Sequence, residues 1–156
     1  MIALYDRALI AISGKVPEAI ALLFVRVALA GVFWRSGRTK IEDGTPFTIS
    51  DTTYFLFEEE YAGVPLPSDL AAVLAAVSEH VFPILLVIGL FTRASALALL
   101  GMTLVIQLFV YPEAWWQVHI VWTAMCLALI VRGGGLLSLD QLFTRNRIAA
   151  ATSHEN

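Results

Sequence analysis

Four apolar stretches, each close to the length of a membrane span, constrain this chain more than any other feature. They are predicted over residues 17–34, 68–90, 94–111 and 115–131. A helix needs about 17–25 mostly apolar residues to cross the hydrocarbon core of a bilayer. Hydrophobic residues make up 58% of the chain and charged residues 15%, against roughly 25% charged in soluble domains. We therefore predict a single all-α domain over residues 1–156, an integral membrane four-helix bundle with a long outer loop between spans one and two.

Basic residues near the span ends predict the orientation. One side would hold Arg7, Lys15, Arg93, Arg132, Arg145 and Arg147, and the other Arg35, Arg38 and Lys40. Because basic residues stay in the cytoplasm, we expect a multi-pass protein of the cytoplasmic (inner) membrane with both termini in the cytoplasm. The lipid bilayer is then the expected partner, and the net charge of −3 argues against nucleic acid.

Charged residues inside the spans are the main candidates for a site. Arg26 lies in span one, and Glu79 with His80 lies in span two. A charge at the bilayer centre costs about 2.5–3.5 kcal/mol on insertion scales, so such residues need a partner or a function. At about 1.5 Å of rise per residue, Arg26 and Glu79 both fall near mid-membrane. We predict a buried Arg26–Glu79 ion pair, which either fixes the helix register or forms a site for a proton, a quinone headgroup or a small polar substrate. In a third alternative, the Arg26 side chain extends toward a membrane interface.

A second polar layer is predicted nearer the outer face. Arg35, Gln107 and His119 stand near the outer ends of spans one, three and four, and we expect them to converge below the first loop. The candidate substrate-binding residues are these three together with Lys40 and His80. His80 and His119 differ in depth by roughly 10 Å, which disfavours joint ligation of haem. The same mismatch disfavours a metal site built from Glu79 and the two histidines, so no metal is expected.

The first loop is rich in aromatic and acidic residues. The aromatic residues are Phe47, Tyr54, Phe55, Phe57 and Tyr61, and the acidic run is Glu58-Glu59-Glu60. The aromatics predict a short amphipathic helix. That helix either caps the outer mouth of the bundle or anchors the loop at the membrane interface.

Small and capping residues suggest local structure at the helix ends. Gly31 and Gly37 would let another helix approach span one closely. Thr92 is a candidate N-cap of span three, and Ser138 a candidate N-cap of a short helix after span four. Asp140 would then add negative charge at the N-terminus of that short helix.

Several short motifs occur together in a fixed order. They are Arg26 followed by Gly31, Phe33, Gly37 and Lys40; Gly63-Val64-Pro65; Glu79 followed by Gly89-Leu90-Phe91-Thr92-Arg93; and Gly133-Gly134-Gly135-Leu136-Leu137-Ser138-Leu139-Asp140. In this order and spacing the sequence resembles the DoxX family of small four-helix membrane proteins, over about residues 22–143. Gly134 departs from the family pattern, which has Pro there. His80 and His119 are not part of that pattern.

The resemblance implies functions that the residues alone do not. Members of the family include the membrane subunit of thiosulfate:quinone oxidoreductase. The first hypothesis is a membrane subunit of a quinone-linked oxidoreductase or of a redox- or stress-related complex. A quinone would bind near Arg26 and Glu79, with Lys40 at the outer rim. The sequence contains no intrinsic cofactor motif, so the electrons would come from a redox partner protein.

Two alternatives to this hypothesis stay open. One is a non-catalytic membrane scaffold that recruits a partner protein through the acidic loop. The other is a small-molecule or proton-coupled transporter, for which four spans are few unless the chain forms a homo-oligomer. The sequence leaves open whether the protein is an enzyme.

Overall fold

The computed structural model describes residues 13–145 and shows a helical chain. Its α-helices are α1 (Lys15–Thr39), α2 (Asp51–Glu59), α3 (Ser68–Ile88), α4 (Thr92–Phe109) and α5 (Ile120–Arg132). A 3₁₀ turn, Pro112–Ala114, and a π-helical turn, Trp115–His119, lead into α5, and residues 139–145 are helical as well. Arg7 and Arg147, which entered the orientation prediction, lie outside the described residues.

The predicted four-helix membrane bundle is confirmed. The segments Lys15–Thr39, Ser68–Ile88, Thr92–Phe109 and Pro112–Arg132 are each long and apolar enough to cross a membrane. The first helix is longer than predicted, because the polar residues that follow Trp34 continue it to Thr39. Lys40 caps its C-terminal end by donating its backbone N–H to the Gly37 carbonyl.

The two ends of the bundle carry different connections. We name the end at which α1 begins and α5 ends the terminal face; it also holds the turn between α3 and α4 and residues 133–145. We name the opposite end, which holds residues 40–67 and 110–114, the loop face. Because α1 and α3 run in opposite directions, the loop face holds the end of α1 and the start of α3.

Polar and apolar side chains are distributed as expected for a protein surrounded by lipid. Large apolar side chains such as Phe24 and Leu108 are 70% and 69% exposed. Arg26 and Glu79, by contrast, are only 0% and 2% exposed. A soluble protein rarely exposes so much apolar surface, whereas charged groups within a membrane bundle face its interior.

The most extensive interface joins α1 and α3, and one glycine brings the two helices together near the loop face. A methyl group built on Gly37 would lie 2.9 Å from His80 Cε1 and 3.0 Å from Glu79 Cβ, which confirms the predicted close approach. The same prediction is wrong for Gly31 among residues 13–145, because none of their atoms outside its own helix lies within 4 Å of such a group there. Gly37 therefore sets the spacing at the level of Glu79.

The predicted helix in the first loop is present as α2. Ser50 Oγ accepts a hydrogen bond from the Thr53 backbone N–H at 3.3 Å and so caps the helix. Phe57 is buried against Ala71 and Ala72 in the first turns of α3. This half of the loop therefore packs on the bundle at the loop face, while Phe55 stays 63% exposed.

Candidate functional site

The predicted Arg26–Glu79 ion pair is wrong. Glu79 Oε2 instead accepts a hydrogen bond from Lys40 Nζ at 2.7 Å. The Arg26 guanidinium donates to two backbone carbonyls, Nη2 to Leu137 at 2.5 Å and Nη1 to Leu86 at 3.4 Å. The two charged residues therefore belong to separate clusters at opposite faces.

The direction of helical side chains explains the error. Cα–Cβ bonds tilt toward the N-terminus of their helix. Arg26 on α1 therefore reaches toward the terminal face, while Glu79 on the antiparallel α3 reaches toward the loop face. Arg26 and Glu79 also lie at different depths in the bundle. Glu79 packs beside Gly37, and Gly37 lies about 16 Å from Arg26 along the axis of α1, at 1.5 Å per residue.

The Lys40–Glu79 pair is buried and held by its surroundings. The two side chains are 8% and 3% exposed. Lys40 Nζ also donates to Ser36 Oγ at 3.2 Å. The Lys40 backbone carbonyl accepts hydrogen bonds from Ser50 N–H and Thr53 Oγ1, each at 3.1 Å. The end of α1 and the start of α2 thus fix the lysine, and α3 supplies the carboxylate.

A cavity of about 170 Å³ lies directly beside this pair. Its lining is mostly apolar and comes from the loop face, α3 and α4: Lys40, Phe57, Tyr61, Val64, Leu66, Ala71, Leu74, Ala75, Ser78, Glu79, Met102, Val105 and Ile106. Leu66 and Leu74 are each 48% exposed, so the lining continues onto the surface that lipid covers. The cavity joins a buried charged pair to the lipid side of the bundle.

Tyr61, predicted only as one aromatic residue of the first loop, lines the cavity and carries a hydroxyl as well. Its ring stacks on Phe57 with the ring centroids 4.3 Å apart. Burial, assisted by the nearby Tyr111, Glu79 and Glu60, raises the pKa of Tyr61 to about 12. The phenol therefore keeps its proton at neutral pH and is able to donate a hydrogen bond.

His80 lies beside the Lys40–Glu79 pair, on the side of α3 that faces α1. Its Nδ1 is 2.6 Å from the Ala76 carbonyl, so this nitrogen carries the proton. Its Nε2 is buried and makes no hydrogen bond to any residue in 13–145. The ring packs edge-on against Trp34. His80 does not line the cavity, so its predicted binding role has no geometric link to that space.

The predicted second polar layer forms only in part. His119 Nδ1 lies 2.7 Å from Gln107 Oε1, and Gln107 Nε2 donates to the Pro112 carbonyl at 2.7 Å. These two residues come together as predicted, next to the π-helical turn that precedes α5. Arg35 does not join them, because it lies on an exposed surface of α1. The prediction of a three-residue cluster is therefore wrong for Arg35.

The terminal-face cluster is packed without room for a ligand. Arg26 Nη1 would lie only 2.0 Å from a methyl group built on Gly89, and Ser138 Cβ only 2.6 Å from it. The Asp140 carboxylate accepts hydrogen bonds from the backbone N–H groups of Phe91 and Thr92, each at 2.8 Å. Backbone and side chains fill this cluster, and it closes the turn between α3 and α4.

The capping predictions at this face are partly corrected. Phe91, with φ 50°, is the residue before α4 and makes no side-chain cap bond, so Thr92 is not the N-cap. Asp140 supplies the cap from a different part of the chain. Ser138 Oγ accepts from the Gln141 backbone N–H at 3.3 Å, which agrees with its predicted role.

Metal ligands are not gathered anywhere in the part of the chain that the structure describes. Within residues 13–145, no three His, Cys, Asp or Glu side chains are placed to hold a metal ion. Cys126 is buried in the bundle core. The arrangement at the loop face thus offers a cation, a carboxylate and hydroxyl groups beside an apolar space.

Comparison with known proteins places the chain in a family. The family model described as DoxX matches residues 21–112. The chain belongs to the DoxX family. A relative from Haemophilus influenzae, described as an uncharacterized protein, is 31% identical over 82% of this chain and 86% of its own length. No solved structure matches. The matched residues include most of α1 and all of α2, α3 and α4, and therefore all of the cavity lining.

Proposed function

We propose that this DoxX protein is the membrane subunit of a quinone-linked redox complex, and that a quinone headgroup binds in the loop-face cavity. The observation that carries the proposal is the buried Lys40–Glu79 pair at the wall of an otherwise apolar cavity beside lipid. The proposed site therefore lies beside Lys40 and Glu79, and not at the Arg26–Glu79 pair that was expected from the sequence.

The residues of the cavity fit such a headgroup. A quinone ring is apolar on its faces and carries carbonyl oxygens at its edge. Lys40 and Tyr61 present hydrogen-bond donors, and Phe57, Leu74 and Ile106 present apolar surface. The volume of about 170 Å³ is below the roughly 300–1,000 Å³ of sites that enclose a whole ligand. A headgroup would fit inside while its tail remains in the bilayer.

Each polar residue has a distinct role in the proposal. Lys40 would exchange one of its long contacts with Ser36, at 3.2 Å to Oγ and 3.5 Å to the carbonyl, for a charge-assisted hydrogen bond to a quinone carbonyl oxygen, which is stronger than a neutral one. Glu79 orients the ammonium group and is the nearest carboxylate for proton exchange. A quinone supplies two-electron redox chemistry when bound, and the proposed partner protein supplies or receives the electrons.

A cavity-filling variant tests the proposal without breaking the ion pair. Ala75→Leu places extra side-chain volume in the cavity and leaves Lys40 and Glu79 unchanged. We expect the purified variant to lose binding of a short-chain quinone analogue by at least about tenfold. The matched control is Leu70→Phe on the exposed side of α3, which leaves binding unchanged. Binding of wild-type strength by Ala75→Leu would contradict the proposed site.

A second candidate function rests on the exposed side of α2. Glu58 and Glu59 are exposed, and Phe55, one turn earlier, is 63% exposed. Such a surface suits a basic partner protein recruited to the loop face. Glu60 differs from Glu58 and Glu59 because its carboxylate accepts a hydrogen bond from the Tyr111 hydroxyl. This hydrogen bond raises the pKa of Tyr111.

Charge reversal separates this candidate from the first one. Glu58→Lys with Glu59→Lys should remove a partner from the complex purified under native conditions and leave quinone binding unchanged. The control is the reversal Asp69→Lys, also on the loop face. An unchanged set of copurified proteins would argue against docking through α2.

A further inference from the structure

A second charged region lies at the terminal face, away from the cavity. An open groove of about 1100 Å³ runs between the start of α1, the turn before α4 and the glycine turn 133–135. Three basic side chains line it, namely Lys15, Arg93 and Arg132. Each of them stands at the end of a membrane-spanning segment, and this places the groove at the depth of lipid headgroups.

Two of the three cations have no carboxylate partner within residues 13–145, and Arg93 Nη2 donates a hydrogen bond only to the Val131 carbonyl, at 3.1 Å. Arg132 forms an ion pair with Glu18. Asp140, the other acid in the lining, is occupied by the N–H groups of Phe91 and Thr92. Within residues 13–145, neither Lys15 nor Arg93 lies within ion-pair distance of a carboxylate.

The glycine turn lies between these two cations. A methyl group built on Gly133 would lie 3.3 Å from Arg93 Nε. One built on Gly135 would lie 3.5 Å from the Cα of Ala19, and Lys15 is one helical turn before Ala19 on the same side of α1. Arg93 therefore borders one end of the turn and Lys15 the other.

The turn also presents backbone donors. Gly133 N–H is bonded to the Leu129 carbonyl. The N–H groups of Gly134 and Gly135 form no hydrogen bond with any other residue in 13–145. Successive backbone N–H groups in a turn can bind an anion, and both glycines line the groove together with Arg93 and Lys15.

Apolar groups complete the lining. Phe91, Leu136 and Phe143 line the groove and are 65%, 47% and 55% exposed. A free inorganic anion makes no use of such a surface, whereas a phospholipid carries acyl chains beside its phosphate. Basic pockets at the ends of transmembrane helices are suited to anionic headgroups.

We propose that the terminal-face groove binds one anionic phospholipid, with its phosphate between Arg93 and Lys15 over the glycine turn. This site is independent of the loop-face cavity and of the function proposed for it. The bound lipid would neutralise two otherwise unpaired cations and hold the start of α1 against the turn that follows α5.

Native mass spectrometry of the full-length protein tests this site. The protein would be released from nanodiscs of phosphatidylcholine mixed with phosphatidylglycerol, and one retained phosphatidylglycerol per chain is expected. Lys15→Gln with Arg93→Gln should weaken its binding by about 30-fold, since each basic group near the surface contributes about fivefold. The control, Arg35→Gln with Arg38→Gln at the loop face, should retain the lipid as the wild type does.

Three results would overturn the proposal. They are equal retention of phosphatidylcholine, equal loss of lipid in the loop-face control, and displacement of the lipid by inorganic phosphate at an equal concentration. If the double variant does not fold, the melting temperature of the wild type is measured with each lipid instead. Phosphatidylglycerol must then raise its melting temperature more than phosphatidylcholine does, and an equal rise would also overturn the site.

Discussion

Arg26 and Lys40 are both buried cations on α1, yet they have different surroundings. Arg26 is 0% exposed and donates to the carbonyls of Leu86 and Leu137, in a cluster with no space left. Lys40 is 6% exposed, bonds to the Glu79 carboxylate and borders a cavity. A buried charge solvated by backbone stabilises a fold, whereas a charged pair beside an open apolar space can also meet a ligand.

The largest expected effect breaks the terminal-face cluster. Gly89→Ala forces a side chain at φ +71° into the space of the Arg26 guanidinium. Left-handed strain and overpacking each cost about 1–3 kcal/mol, so we expect a loss of about 3–5 kcal/mol in the free energy of unfolding in mild detergent.

A matched glycine on α4 controls for the substitution itself. In the part of the chain that the structure describes, no neighbouring side chain or other helix comes within 4 Å of a methyl group on Gly101, and Gly→Ala inside a helix stabilises by about 0.5–1 kcal/mol. Gly101→Ala should therefore raise the free energy of unfolding. If both variants behaved alike, the terminal-face cluster would not be the packed region described above.

The next effect concerns the loop-face pair. Lys40→Met leaves Glu79 buried without its partner, and breaking a buried pair costs about 3–5 kcal/mol. Adding Glu79→Leu should restore most of this stability, because two apolar side chains can replace a buried pair. Ligand binding should remain lost in the double variant, and this separates stability from function at this face.

The same unfolding measurements provide the check. A double variant as unstable as the sum of the two single variants would show that the pair does not act as a unit. A double variant that is stable and still binds quinone would remove the pair from the proposed site.

A smaller effect is expected from the cap that crosses the terminal face. Asp140→Ala removes the acceptor for two N–H groups at the start of α4. Loss of a helix cap costs about 0.5–2 kcal/mol. Hydrogen exchange of the Phe91 and Thr92 amides should speed up in the variant, and unchanged exchange would contradict the cap.

The smallest effect should come from the polar contact in the bundle. Gln107→Leu removes the partner of His119 Nδ1. Interhelical hydrogen bonds in membranes average about 0.6 kcal/mol, so the free energy of unfolding should fall by about that amount. Quinone binding should not change, because neither residue lines the cavity. A loss of binding would extend the site toward α5.

Span length and hydropathy predicted the fold well, because the bilayer restricts a chain of this kind to helices. The partner of Glu79 was not predictable by the same means. An estimate of depth from the residue count treats each residue as a point at its Cα. The side chains of Arg26 and Glu79, however, extend from their Cα atoms in opposite directions. The end of α1 also mattered, since a helix that stopped at Trp34 would not bring Lys40 to Glu79.

Other parts of the site depend on contacts between distant segments. Tyr61 enters the cavity because Phe57 anchors α2 on Ala71 and Ala72, and periodicity within the loop contains no such information. The cap on α4 joins Asp140 to Phe91 and Thr92, which lie 49 and 48 positions earlier in the chain. The pattern around Ser138 predicted a local cap correctly because its donor is three residues away.

Photoaffinity labelling with an azidoquinone in native membranes tests the central claim most directly. Peptide mapping of the labelled protein should find the label in residues 74–79 of α3 and 102–106 of α4, around the cavity beside Lys40 and Glu79. Excess unlabelled quinone should abolish it, and the Ala75→Leu variant should not be labelled. Labelling concentrated in residues 86–93 or 135–140, around Arg26, would contradict the division between the packed Arg26 cluster and the quinone-binding cavity at the loop face.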